Sequence, residues 1–552
     1  MIANKLKLER KIKPYFFFTL VIGSIAQLAI IFPSGLYRRG VYRFWGVQFH
    51  DALWHVSVAQ KLKDFSFENP VYSGEIIRNY HYLTNLIIAF VSKITGISLF
   101  HVTFRILPVV VTIAIGISTF ILVNKVFKNQ KAAVWAMFFV YLGSNLAYIL
   151  PFFGLGYPIW ETTMWVQQPI SVFSNLPFAT SIPIALSAII CLKLYLDDNK
   201  RKYFLSALLL FSLLPVIKSH SVVFLLALGI VGIWRVLTKR RLDILFLSLL
   251  IFILAYIFIS PTFRFEKHLI FEPGWFLRTM IEAPDRLNWQ DWALRYQFYK
   301  AHYDIFNLAK FFAVAFTIFF VGNLGTRMIA LFGIPNIRKL FRDEIHFFLG
   351  VSAFGFALVP MLFLTTGVAW NSIQFFYYFL LISGIYSGVG MYKLISKIKK
   401  VQFKWLFSVV IILITIPVNL RTLWFFYSHP ADSKIQGVYL ESLQKLSKVG
   451  KASDVILNLP AGSNAIEMAA FTGKTMFLGD WLQAIVPGHD HQGRLDLLTK
   501  AMEREGDFIE LLKKYGIDWI YIKGPNPQII EDIEYLLDDF YISDKIKIYH
   551  VE

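Results

Sequence analysis

The chain is laid out as a series of apolar stretches, most of them near the ~20 residues that a helix needs to cross the hydrocarbon core of a bilayer. They run at about 14–33, 101–123, 132–150, 177–196, 204–217, 221–236, 242–261, 307–326, 346–365, 374–392 and 405–421. No soluble fold of 552 residues has an interior large enough to hide so much apolar surface. Only 16% of the residues are charged, against roughly 25% in a soluble domain. These features predict an all-α polytopic membrane protein with about eleven transmembrane helices. The pair 204–217 and 221–236 is short and reads as a hairpin that stops below the far surface. The single cysteine, Cys191, lies inside an apolar stretch, which excludes disulfides and cysteine-based metal sites.

The net charge of +19 does not point to nucleic acid, because it is gathered in short clusters between the apolar stretches. Lys5, Lys7, Arg10, Lys11 and Lys13 precede the first stretch, and every second connection after it is basic. The connections 151–176 and 366–373 contain no Lys or Arg. Positive residues mark cytoplasmic loops, so the N-terminus is expected in the cytoplasm of a plasma-membrane protein. Regions 34–100, 262–306 and 422–552 are then expected outside. Residues 82–92 are apolar but short, and counting them as a span would invert every later loop. They read as a helix on or dipping into the outer leaflet.

Beyond about Arg421 charged residues become frequent and apolar runs shorten. Strands are predicted at 454–459, 475–479 and 518–522, and helices at 464–471 and 493–515, with Tyr515-Gly516 as a stop. This alternation predicts a small extracytoplasmic α/β domain over 422–552, following a membrane domain over 1–421.

The outer region 34–100 carries the most chemistry. On a helix, Asp51 and His55 lie one turn apart and share a face, beside an apolar stripe of Trp54, Val58, Leu62 and Phe65. A carboxylate at an apolar surface suits a general base, since burial raises its pKa towards working pH. Spacing alone favours the plainer account, in which Asp51 caps the helix and His55 sits among lipid headgroups.

The order Asp51-x-x-x-His55, Asn69-Pro70-Val71-Tyr72-Ser73-Gly74, Tyr80-His81-Tyr82 and Phe104-Arg105-Ile106-Leu107-Pro108 resembles the GT-C superfamily of membrane glycosyltransferases. It is similar to protein O-mannosyltransferases and to the aminoarabinose transferases that modify lipid A. Arg105 and Pro108 match the Arg-Leu-Pro start of that family's second span, with one residue inserted. Where the mannosyltransferases have Asp-Glu, this chain has Asp51-Ala52, which leaves donor sugar and subgroup open. The resemblance implies a GT-C-like fold and a sugar donor linked to polyprenyl phosphate. It implies one inverting displacement, with Asp51 as the base that takes a proton from an acceptor hydroxyl. The acceptor is a glycan, a lipid or a protein.

Phosphate leaving as a monoester gains negative charge and needs cations around it. Arg78, Arg105, Lys218, Arg264 and Arg278 are the outer-side candidates. Lys218 lies with His220 at the turn of the short hairpin, where snorkelling to the headgroups explains it equally well. His81 and Tyr82 are candidates for substrate contact, and so is Glu272 in the aromatic-rich region 262–306. A divalent metal is compatible with the resemblance, but no Asp-x-Asp pair supports one and no metal ligand is assigned. The alternatives are a flippase for lipid-linked oligosaccharide, a polysaccharide polymerase and a non-enzymatic anchoring protein. The chain shows no internal repeat, and its polar residues gather in outer loops, which favours surface chemistry over passage through the bilayer.

Overall fold

A computed structural model describes residues 8–156, 160–264, 269–366, 368–429, 433–460, 465–486 and 488–552. Each of the eleven apolar stretches is helical, and the chain is a multi-pass membrane protein. Among the described residues, eight helices are long and apolar enough to cross a membrane, and nine if one broken pair counts as a span. That pair, Gln130–Leu142 and Ala147–Phe153, bends by 53°. The two remaining stretches are the helices Arg201–Ile217 and Asp243–Ile259, each of 17 residues. At 1.5 Å per residue they reach about 26 Å, just short of a ~30 Å core. The helix Leu83–Thr95 has 13 residues. At about 20 Å it cannot span, and it buries Thr84, Asn85, Ile88, Ala89 and Ser92 on one side.

The chain divides into two compact units. The first comprises 1–30, 108–258 and 267–429. Its helices approach closely where small residues allow it. A Cβ on Gly388 would lie 2.2 Å from the Ala136 backbone nitrogen, and one on Gly333 only 1.9 Å from the Tyr386 carbonyl oxygen. Packing through small residues is how helices associate where lipid supplies no hydrophobic drive between them. Helix Val401–Thr415 instead exposes Val401, Phe403, Trp405, Leu406, Val409, Val410 and Leu413, a surface that only lipid would cover.

The second unit comprises 31–107, 259–266 and 430–552. Its five-stranded sheet runs in the order Thr475–Met476, Val455–Leu459, Ile517–Lys523, Ile546–Val551, Leu537–Ile542. The first three strands are parallel and the last two antiparallel. Every residue of Val455–Leu459 is buried, as expected of a continuous apolar run inside a parallel sheet. The strand expected at 475–479 ends at Met476. The helix expected over 493–515 is two helices, His491–Met502 and Phe508–Tyr515. Asp507 breaks the pattern because its side chain caps the second helix, accepting from the Glu510 backbone N–H, and Gly516 ends it at φ +57°. The helix expected at 464–471 is Ile466–Thr472, and residue 464 lies outside the described residues.

The segment 31–107 is tied into this unit by polar anchors. Strand Val41–Phe44 pairs with both Leu36–Arg38 and Ser433–Gln436. The buried Lys61 ammonium reaches the Ala452 carbonyl at 2.6 Å and Glu68 at 3.2 Å. Arg494 lies 3.5 Å over the Tyr72 ring and donates to the Ser73 and Phe477 carbonyls, each at 2.9 Å.

Candidate active site

A turn of 3-10 helix at Gly46–Phe49 leads into the helix Asp51–Leu62. Asp51 occupies the first helical turn, where the helix dipole favours an acid. Its carboxylate takes a hydrogen bond from its neighbour, His50 Nδ1 to Asp51 Oδ1 at 2.8 Å. His50 Nε2 donates to Oδ2 of Asp480 at 2.9 Å. Asp480 is fully buried, and its Oδ1 caps the helix Trp481–Ile485 by accepting from the Gln483 backbone N–H. Burial by itself would depress the His50 imidazole. The hydrogen bonds and charges of Asp480 and Asp51 override it and lift the group to about 10.

His55 is buried one turn further along, and its Nδ1 shares a 3.1 Å hydrogen bond with the Tyr80 hydroxyl. Its carbonyl accepts from Asn85 at 3.3 Å. The ring of His81 stacks on Tyr80, with centroids 4.8 Å apart. Tyr82 is buried edge-on against Phe67. Arg78 pairs with Glu75 at 2.7 Å and reaches the Gly488 carbonyl at 3.4 Å. Arg264 donates to the Phe263 carbonyl.

Arg105 belongs to another element of the same unit, a turn that packs against the helix Asp51–Leu62. It lies in a π-helical turn, Val102–Ile106, within the long apolar helix Leu99–Phe127. A π-turn takes up one residue more than an α-turn, so it absorbs the extra residue noted between Arg105 and Pro108 without breaking the helix. The side chain is only 9% exposed, lying over Phe104 at 5.5 Å and Phe32 at 5.9 Å. Among the described residues, none accepts a hydrogen bond from its Nε, Nη1 or Nη2.

Four sequence candidates, Lys218, His220, Glu272 and Arg278, fall in the other unit. Lys218 and His220 are buried at the hairpin turn, and His220 Nε2 donates to the Asn371 carbonyl at 2.6 Å. Glu272 is half-exposed and accepts from Arg278 at 3.4 Å. That unit also holds polar groups the sequence did not single out. Arg327 is wholly buried, donating to the Asn323 carbonyl at 2.7 Å and to the Gln168 side chain. Glu161 is buried in the connection before helix Leu176–Asp198 and accepts from Ser171 at 2.7 Å. Burial pushes its carboxyl up to about 7, against hydrogen bonds from Ser171 and Gln168 that favour the charged form.

The sequence also missed His50 and Asp480. His50 adjoins Asp51, but a sharing of carboxylates is invisible when the second acid is 430 residues away. Asp480 reads locally only as a helix cap.

Among the described residues, no group of three His, Cys, Asp or Glu side chains is placed to hold a metal ion. Asp51 and Asp480 have the His50 ring between them.

No family model matches the chain, and no curated protein matches it. Solved structures do. The oligosaccharyltransferase AglB from Archaeoglobus fulgidus, in complex with an inhibitory peptide and a dolichol-phosphate, aligns over 93% of this chain and 70% of its own, with 11% identity and a TM-score of 0.54. The same organism's oligosaccharyltransferase in the apo form aligns over 92% and 69%, with 11% identity and a TM-score of 0.55. Its complex with Zn and sulfate aligns over 92% and 68%, with 13% identity and a TM-score of 0.53. The chain therefore shares the fold of these oligosaccharyltransferases.

Proposed function

We propose that this chain moves a sugar from a polyprenyl phosphate-linked donor to an acceptor hydroxyl on the outer face of a plasma membrane, with Asp51 as general base. A fold hosts many functions, so the reading rests on the site and not on the likeness alone. The observation that carries it is Arg105, a buried guanidinium to which the described residues give no acceptor. Burying such a cation is costly unless an anion meets it. A lipid-linked phosphate supplies that anion, and a guanidinium binds phosphate oxygens in a paired geometry. The A. fulgidus enzyme of the same fold holds a dolichol-phosphate, which supports a polyprenyl carrier here.

The reaction is one displacement. Asp51 takes the acceptor's hydroxyl proton while that oxygen bonds to the anomeric carbon. The bond from that carbon to the phosphate oxygen breaks, and its electron pair leaves with the phosphate. The carrier departs as a polyprenyl phosphate monoester, whose added charge faces Arg105. The transition state resembles an oxocarbenium ion, and the anomeric configuration inverts. Among the described residues no acidic or imidazole cluster is grouped to hold a metal, and no step is routed through one. Arg78, His81, Tyr82, Lys218, His220 and Glu272 are the further candidates for contact with donor or acceptor, and His55 for support of the base. The basic connections place the N-terminus in the cytoplasm and residues 422–552 outside.

The test is Asp51→Asn in purified, folded full-length protein supplied with a polyprenyl phosphate-sugar. Transfer should fall by about 10²–10⁴-fold with the melting temperature unchanged. Undiminished transfer would remove Asp51 as the base. Movement of lipid-linked sugar across the bilayer with no new glycosidic bond would replace the reading with a flippase.

A further inference from the structure

The His50 ring sits between two carboxylates, with one ring nitrogen 2.8 Å from Asp51 and the other 2.9 Å from Asp480. An ionised carboxylate only accepts hydrogen bonds, so each ring nitrogen has to donate. A neutral imidazole has one N–H and cannot satisfy both. The geometry therefore requires the doubly protonated ring, a cation between two anions.

The two acids are committed differently. Asp480 has no exposed surface, and its oxygens are divided between His50 and the Gln483 backbone N–H. Asp51 is 47% exposed, and only its Oδ1 has a hydrogen-bond partner among the described residues. Oδ2 is left to accept from outside the described residues. Helix Trp481–Ile485 thus fixes Asp480, Asp480 fixes the ring, and the ring fixes one oxygen of Asp51.

We propose that His50 is a positioning residue for transfer: as an imidazolium braced by Asp480, it holds Asp51 Oδ1 so that Oδ2 is presented to the acceptor's hydroxyl proton. The proposal rests on the reading of Asp51 as general base. A base held at one oxygen keeps its direction without losing its acceptor, which is what a positioned proton transfer needs. Among the described residues, the charged groups facing the ring are Asp51 from the helix Asp51–Leu62 and Asp480 from the turn before Trp481–Ile485. Behind Asp480 lie His491 and Glu467, which interact with its charge.

Two measurements on the full-length protein test this. The first is exchange of the histidine C2 hydrogen read by mass spectrometry, which titrates each ring without requiring activity. The His50 midpoint should lie at least two pH units above the ordinary histidine value of about 6.5, and should drop by a unit or more in Asp480→Asn. The second is steady-state transfer. Asp480→Asn and His50→Gln should each lower kcat about tenfold or more with the donor KM held, and His50→Arg, which keeps a two-sided cation, should recover part of the loss. A His50 midpoint at the ordinary value overturns the proposal. So does wild-type kcat in the folded variants. If Asp51→Asn transfers normally while His50 still titrates high, the base assignment has failed and the carboxylate-bound imidazolium has not.

Discussion

Two buried arginines, one in each unit, have opposite surroundings. Arg235 is 5% exposed and Arg105 9%. Arg235 donates to both oxygens of Asp243, at 2.8 and 3.0 Å, and also to Glu344. Asp243 opens the helix Asp243–Ile259 and Glu344 opens Glu344–Leu362, so one guanidinium ties two acidic helix starts to the end of a third helix, Val222–Lys239. Arg105 lies over the rings of Phe32 and Phe104, and among the described residues its guanidinium has no hydrogen-bond acceptor. On the proposed reading, the difference separates a structural cation from a ligand-binding one. A guanidinium whose partners are built in holds helices together. One buried without an acceptor is a cost to the fold, and a site can recover that cost only when an outside anion arrives.

The largest effect should come from Arg235→Met. Removing the buried guanidinium leaves Asp243 with only the half-exposed Arg241 and Glu344 with only Lys239, at a cost of about 3 kcal/mol, read as a lower unfolding midpoint in detergent. Arg105→Met should do the reverse and leave that midpoint unchanged or raised, because no partner is orphaned. A loss of stability in Arg105→Met comparable to that in Arg235→Met would erase the distinction.

Next in size is the effect on ligand. Arg105→Met should lower transfer by about 10²–10³-fold. Polyprenyl phosphate at a hundred times its Kd should stabilise the wild type by about 2.7 kcal/mol and the variant far less. Equal stabilisation of the two proteins would show that the phosphate binds elsewhere.

The smallest effect is on pH dependence, and it sets two histidines of one unit against each other. His50 is lifted to about 10, so its stabilisation is complete below about 6.5 and fades as pH rises towards 10. His489 is pushed the other way. Burial, with Arg78 near by, lowers it to about 4, so its contribution is complete above about 6.5 and fades as pH falls towards 4. The unfolding midpoint should fall on both sides of neutrality. Asp480→Asn should flatten the alkaline side, and His489→Phe, which keeps the ring stacked on Tyr72, the acid side. A profile unchanged by either substitution would show that neither ring titrates with folding.

Apolar runs of membrane length determined by themselves that the chain is a bundle of helices, because a backbone in hydrocarbon has to satisfy its own hydrogen bonds. Each of the eleven stretches is helical, and the short helix at Leu83–Thr95 was legible from its length. In 422–552 the strand Val455–Leu459 and the stop at Gly516 were equally legible, since both depend on a few neighbouring residues. The break of 493–515 into two helices was not, because the capping Asp507 competes with an apolar period that runs on through it. Asp51 and Arg105 could be singled out from the sequence through the family resemblance, whereas spacing alone left Asp51 as a helix cap. What those two side chains face was decided only by tertiary structure. The bond from His50 to Asp480 joins positions 430 residues apart, and the lack of an acceptor for Arg105 among the described residues depends on every segment packed against it. Periodicity and caps act over a turn or two of chain, whereas the partner or solitude of a buried charge is set by whatever the whole fold brings within about 3 Å.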